Sequence, residues 1–229
     1  MQDYTYIAQN IQQVRNAMQQ AGASDDTRLM AVTKFVDAQR INYAIDHCHI
    51  KLIGENRVQE LLDKYDQLHL EGVSVHFIGS LQTNKVKYII DKVDMIQSLD
   101  SLHLAQEIER QAEKHDKRMD CLIEVNIGGE ENKGGVLPQN LFSLFEQVQK
   151  MPHIRVCGLM TIAPFVTEED EQYMYFSQTR ALFDRLRPML PTSVSQPVLS
   201  MGMSDSLAAA IRAGSNMIRI GTAIFGARS

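Results

Sequence analysis

Short apolar runs rich in valine and isoleucine alternate along this chain with stretches whose apolar residues recur at helical spacing. The runs are Arg28 to Thr33, Lys51 to Gly54, Val75 to Gly79, Asp94 to Leu99, Asp120 to Ile127 and Ile154 to Ile162, followed by Pro197 to Ser200 and Met217 to Ile220. Runs of this length, bounded by turn residues, predict strands. Between them, Val58, Leu61, Leu62, Tyr65 and Leu68 fall on one helical face, as do Leu141, Leu144, Phe145 and Val148 behind Pro138. The order is strand then helix throughout, which requires a parallel sheet. Eight such units in 229 residues favour closure into a barrel over an open doubly wound sheet. The predicted fold is α/β: a single (β/α)8 TIM-type barrel over residues 28–228, preceded by an extra helix within residues 1–24. That helix shows Ile7, Ile11, Val14 and Met18 on one face, for packing on the barrel's outside or bottom. Residues 1–229 read as one domain.

Composition narrows the partners. Acidic residues outnumber basic ones, 28 to 23, and no basic run occurs, which argues against nucleic acid or an anionic membrane as ligand. Residues 1–20 are polar and amphipathic, unlike a signal peptide, and no stretch approaches the roughly 18 apolar residues of a membrane span. Cys48, Cys121 and Cys157 are odd in number and widely spaced, as reduced thiols are. The expected location is the cytoplasm.

In such a barrel, functional groups stand at the carboxyl ends of strands, with a phosphate site often built after strands 7 and 8. The last strand opens onto Gly221-Thr222, and the one before it onto Ser200-Met201-Gly202, two turns suited to a phosphate. The first strand ends in Thr33-Lys34-Phe35, the second in Gly54-Glu55-Asn56, and the sixth passes through Gly158-Leu159-Met160. A partly desolvated lysine at a barrel mouth can present the neutral amine that condenses with an aldehyde to a Schiff base. Lys34 and a phosphate turn together suggest an aldehyde-bearing phosphate, and pyridoxal 5′-phosphate (PLP) fits. Arg219, two residues before the Gly-Thr turn, either reaches the far side of a pyridine ring or pairs with a carboxylate such as Glu124.

The strings Ala31-Val32-Thr33-Lys34, Gly54-Glu55-Asn56-Arg57-Val58-Gln59-Glu60, His76-Phe77-Ile78-Gly79, Leu81-Gln82-Thr83-Asn84-Lys85, Gly158-Leu159-Met160, Ser200-Met201-Gly202-Met203-Ser204-Asp205 and Arg219-Ile220-Gly221-Thr222 occur in order. Together they resemble the PLP homeostasis protein family, single-domain relatives of the amino-terminal barrel of alanine racemase. The resemblance runs from about residue 28 to Arg228, with departures at Val75, Gly134 and Ser206. It implies PLP held as a Schiff base on Lys34, with Ser200, Gly221 and Thr222 at the phosphate, Arg219 facing the pyridine nitrogen, and Asn56 and Met160 lining the ring. The family is described as holding, delivering or buffering PLP for PLP-dependent apoenzymes without demonstrated turnover.

Two other readings use the same residues. A PLP-dependent racemase of the alanine racemase kind needs a second base, a tyrosine from a carboxyl-terminal β-domain across a dimer. Nothing follows Ser229 to supply it, and without that domain a monomer is expected. A guanidinium beside the pyridine nitrogen also weakens the ring as an electron sink. A Schiff-base aldolase acting on a sugar phosphate suits Lys34 and the phosphate turns equally well; of the two, only the resemblance separates it from a PLP carrier. Among the remaining residues, His76 reads as a hydrogen-bonded structural histidine. Lys133, in the loop Gly128 to Gly135, is either a second amine near the cofactor or a loop lysine. Ser204 and Asp205 read as caps of a helix from Ser206 to Ala213, the acidic run Glu168 to Glu171 as a helix start, and Met160, Met201 and Met203 as residues of the mouth loops.

Overall fold

The computed structural model describes residues 4–226. Eight parallel strands, β1 (Arg28–Val32), β2 (Leu52–Glu55), β3 (Ser74–Phe77), β4 (Met95–Leu99), β5 (Met119–Val125), β6 (Ile154–Thr161), β7 (Val198–Ser200) and β8 (Met217–Ile220), pair in chain order. β8 returns to β1, with Arg28 opposite Met217 and Ala31 opposite Ile220, and the barrel closes. Side chains alternate along each strand. Met30, Val32, Leu52, Ile78, Met95, Leu122, Met160 and Met217 fill the interior. The alternate set, among them Ala31, Ile53, Phe77, Ile96, Ile218 and Ile220, packs outward under the helices.

The outer layer contains α1 (Thr5–Gln20), α2 (Ala38–Cys48), α3 (Val58–Lys64), α4 (Thr83–Ile89), α5 (Leu102–Lys114), α6 (Leu141–Val148), α7 (Glu169–Leu186), α8 (Leu207–Arg212) and α9 (Thr222–Phe225). The expected amino-terminal helix is α1, buried through Ile7, Ile11, Val14 and Met18. It lies on the barrel's flank against α2, α8 and α9, not across the bottom. The reason is space: α8 and α9 have six and four residues, and the longer α1 covers what they leave open. Asn10 Nδ2 ties the two by donating to Ile224 O at 2.9 Å.

Some boundaries differ from the sequence reading. β5 stops at Val125, beyond which Asn126 N donates to Val136 O of the returning loop while Val136 N donates to Glu124 O. Met160 belongs to β6 and is fully buried, and Met201 is buried too; of the three methionines assigned to mouth loops only Met203 is exposed there. The cap of α8 is Ser206, whose Oγ accepts from Met203 N at 3.1 Å, so Ser204 and Asp205 belong to the preceding turn. β7 has three residues and shares one register pair with β8, Ser200 opposite Met217. Side chains complete that seam: Asn216 Oδ1 accepts from Leu199 N at 2.8 Å, Asn216 Nδ2 donates to Pro197 O at 2.8 Å, and Ser215 Oγ donates to Met201 O at 2.8 Å.

β6 runs close against β7 at Gly158. Its φ of +150° accompanies a register shift that leaves Cys157 as an extra residue between Val156 and Gly158, and an added Cβ would stand 1.9 Å from Val198 O. Gly158→Ala therefore forces β6 and β7 apart and lowers the unfolding free energy by about 1–3 kcal/mol. Urea denaturation checks this; a change within about 0.5 kcal/mol would show that the seam yields freely.

Candidate functional site

The turn that carries Lys34 is fastened from below and from the side. Behind it lies Glu55, the last residue of β2 and fully buried. Its carboxylate pairs with Lys64 of α3 at 2.5 Å, accepts from Thr33 Oγ1 at 3.1 Å, and accepts from the backbone amide of Asn56 at 2.7 Å. Lys64 Nζ in turn donates to Thr33 O at 2.7 Å and Val36 O at 3.3 Å, the carbonyls that flank Lys34-Phe35. Phe35 takes a left-handed conformation, φ 60°, which a residue with a side chain adopts only where its surroundings hold it. They do: its amide donates to Glu60 Oε2 at 2.7 Å, and the Arg57 guanidinium lies 4.7 Å from its ring centroid. The sequence names Glu55 only as part of the strand end Gly54-Glu55-Asn56, and neither its pairing role nor Lys64 stood out. The available signal was Lys64 itself, a cation on the same helical face as Leu61 and Leu68.

Asn56 follows Glu55 at the mouth. Its Oδ1 is buried and has no hydrogen-bond partner among the described residues. Gly79, beyond β3, lets its backbone sit close, since a Cβ there would be 2.1 Å from Asn56 O.

Across the barrel, Arg219 of β8 is 4% exposed and points into the interior. Nη1 donates to Ser200 Oγ at 2.7 Å and Nη2 to Thr161 O at 2.8 Å. Burial pulls its pKa down to about 10, opposed by the charge of Glu124. The expected alternative, a direct Arg219–Glu124 ion pair, is not formed among the described residues; Glu124 acts on Arg219 through space. Burial, and secondarily the charge of Asp100, push the Glu124 carboxyl up to about 7 against the pull of Arg219.

Ser200 stands at the carboxyl end of β7, and its hydroxyl is fully buried, accepting from Arg219 and donating to Gln97 Oε1 at 2.7 Å. The period-two alternation turns it into the barrel interior with Met160, its register partner on β6. Met160 lies between Glu124 and Ser200 in register and forms the interior wall. Gly221 precedes α9, and the exposed Thr222 is its first residue, where backbone N–H groups lack helical partners. His76 is the structural histidine expected: Gln97 Nε2 lies 2.8 Å from its Nδ1, and burial, with the Arg28 charge, lowers its pKa to about 3. Lys133 is a loop lysine in this arrangement, paired with Glu130 at 2.5 Å and donating to Ala163 O at 3.4 Å. With Arg219, Phe165 and Met203 it lines a cavity of about 170 Å³ beside the mouth. No group of His, Cys, Asp and Glu suited to a metal ion occurs among the described residues, and no described helix is long and apolar enough to cross a membrane.

Lys34, Asn56, Met160, Ser200, Arg219, Gly221 and Thr222 thus lie at or near the carboxyl ends of β1, β2, β6, β7 and β8. These five strands are consecutive around the barrel, so the residues form one arc. The family model described as alanine racemase, N-terminal domain, matches residues 2–229. The pyridoxal phosphate homeostasis protein of Aquifex aeolicus is 43% identical over 223 residues, 97% of this chain and 96% of that protein. Among solved structures, an unknown protein from Bifidobacterium adolescentis has a TM-score of 0.91 at 34% identity, covering 98% of this chain and 97% of its own. PipY of Synechococcus elongatus, solved with PLP bound, has a TM-score of 0.84 at 29% identity, covering 96% of this chain and all of PipY. The chain belongs to the alanine racemase N-terminal domain family and, within it, to the pyridoxal phosphate homeostasis proteins. Those relatives are named as homeostasis proteins and not as enzymes.

The raised carboxyl of Glu124 has a thermodynamic signature. Between its ordinary value of 4.5 and about 7 the folded chain keeps a proton that the unfolded chain has released. Its contribution to stability is therefore greatest below that window and declines as pH rises through it. Glu124→Gln removes the decline, so the wild type loses stability relative to the variant from pH 4.5 to about 7 and runs parallel above. Urea denaturation at a series of pH values measures the difference; a constant gap across the window would place the carboxyl at its ordinary value.

Proposed function

We propose that this chain holds PLP at the carboxyl mouth of the barrel, covalently through Lys34, and serves in PLP homeostasis or delivery without turning over an amino acid. The observation that carries this reading is the arc itself. It sets a lysine on a braced turn, an orphaned buried Asn56 Oδ1 and an anchored, buried guanidinium around one opening. These groups fit PLP, which offers an aldehyde to a primary amine, a ring nitrogen to a donor and a phosphate dianion to backbone amides. In this reading Lys34 binds the aldehyde, Arg219 donates to the ring nitrogen, Asn56 and Met160 border the ring, and Gly221 with Thr222 receives the phosphate. Ser200 contributes by holding Arg219. The names of the relatives, and the PLP bound to PipY, support the same assignment. The protein would act in the cytoplasm as a monomer, passing PLP to dependent apoenzymes.

The residues weigh against amino-acid turnover. A permanently charged guanidinium at the ring nitrogen disfavours its protonation and so weakens carbanion stabilisation. All seven tyrosines lie on or beside outer helices or the turn after α3, away from the strand ends where a second base is needed. Nothing in the geometry favours the sugar-phosphate reading over PLP.

Borohydride reduction of the purified holoprotein should bleach its colour and place a pyridoxyl label on Lys34, as read by peptide mapping. A label chiefly on Lys85 or Lys133, with Lys34 unmodified, would sink the assignment, and a colourless protein labelled only with a sugar phosphate would favour the aldolase.

Retention should depend on the phosphate. Hydrogen bonds to charged groups contribute about 1.5–3 kcal/mol, so Thr222→Ala should weaken PLP binding about ten- to a hundred-fold while leaving unphosphorylated pyridoxal nearly unchanged. Dissociation constants that rise equally for both ligands would remove the phosphate from the β8–α9 turn.

A further inference from the structure

Beneath Arg219 the apolar barrel interior contains three polar side chains: Ser200 on β7, Gln97 on β4 and His76 on β3, all buried. Their surroundings include Met30, Met95, Leu122 and Met217; apart from a weak contact of Gln97 Nε2 with Met217 Sδ at 3.1 Å, their partners lie within the group. Arg219 Nη1 to Ser200 Oγ is 2.7 Å, Ser200 Oγ to Gln97 Oε1 is 2.7 Å, and Gln97 Nε2 to His76 Nδ1 is 2.8 Å.

One member fixes the direction of all the others. A guanidinium has no acceptor, so Ser200 Oγ must accept from Arg219, and its single proton must go onward to Gln97. Gln97 then presents its oxygen to Ser200 and its amide N–H to His76. His76 Nδ1 accepts, which requires the neutral ring protonated at Nε2. Turning the Gln97 amide over would give Ser200 two donors and leave its own proton without a partner. The burial that lowers the His76 pKa to about 3 agrees with the neutral form.

We infer that Gln97 and Ser200, backed by neutral His76, are positioning residues for Arg219. With Thr161 O they fix two of its N–H groups in the barrel wall, leaving the rest as donors that receive a ligand's ring nitrogen only in its unprotonated form. The inference deepens the reading of the mouth as a PLP site and rests on it. It extends the functional unit down through the barrel to β3, far from the mouth loops.

The test compares PLP with its 1-deaza analogue, in which a carbon replaces the ring nitrogen, by titration onto the apoprotein. In Gln97→Leu and in Ser200→Ala the affinity for PLP should fall about five- to ten-fold while that for deaza-PLP changes little. Adding Arg219→Ala to Gln97→Leu should cost no further discrimination between the two ligands. Nitrogen-15 NMR of the ligand-free protein should show His76 protonated at Nε2, a readout that needs neither bound ligand nor the folding of Gln97→Leu. Equal losses for both ligands in both variants would mean a merely structural role and overturn the inference, as would a His76 ring protonated at Nδ1. If wild type binds neither compound, the PLP reading fails, and the His76 tautomer alone decides whether the relay runs as described.

Discussion

The buried pair of Glu55 and Lys64 is the constraint on which the mouth depends. One carboxylate, shut away from water, holds the end of β1 through Thr33, the start of the following loop through Asn56, and α3 through Lys64. Burying both charges is expensive, and the pair is not a net stabiliser to be taken for granted; removing either partner alone leaves an uncompensated charge, at a cost of about 3–5 kcal/mol. What the arrangement secures is shape. Lys64 holds the carbonyls of Thr33 and Val36, and the chain between them has no choice but the sharp turn that presents Lys34. The left-handed Phe35 is the visible strain of that turn, and Glu60 and Arg57 hold it from outside.

The opposite wall solves a different problem with the same economy of groups. Arg219 keeps a cation inside an apolar barrel, and two hydrogen bonds to Ser200 and Thr161 replace its lost hydration. Glu124 lies near enough to feel that charge but too far to neutralise it by contact. The two lysines and the arginine therefore have separate duties. Lys64 is committed to backbone carbonyls and Glu55, Arg219 to the interior, and Lys34 stands half-buried at the rim between them.

The strands were legible because short apolar runs such as Leu52-Ile53 and Met217-Ile218 alternate with helical stripes, and that alternation admits few topologies. The lysine, the asparagine and the Gly-Thr turn were legible because they end such runs. The inward hydroxyl of Ser200 was not, since one residue of register separates facing the mouth from facing the core. Nor was the start of α8: Ser204 and Ser206 are equally good caps by composition, and only the folded chain puts Ser206 at the N-cap position, its Oγ turned back to accept from Met203 N. The relay through Gln97 lay beyond reach for another reason, because it joins β3, β4, β7 and β8 across the barrel and no local spacing records such a neighbourhood.

The seam between β7 and β8 has a dynamic consequence. With one register pair, its backbone bonds from Asn216 N to Leu199 O, Met201 N to Met217 O and Arg219 N to Gly202 O are supplemented by the side chains of Ser215 and Asn216. Local opening begins where main-chain pairing is shortest, so amide exchange should be fastest along this side of the barrel. Ser200 and Arg219 face each other across that same seam. Opening there would part the serine from the guanidinium while the other seven seams stay closed, so the arginine's anchorage is no firmer than the shortest ladder of the barrel.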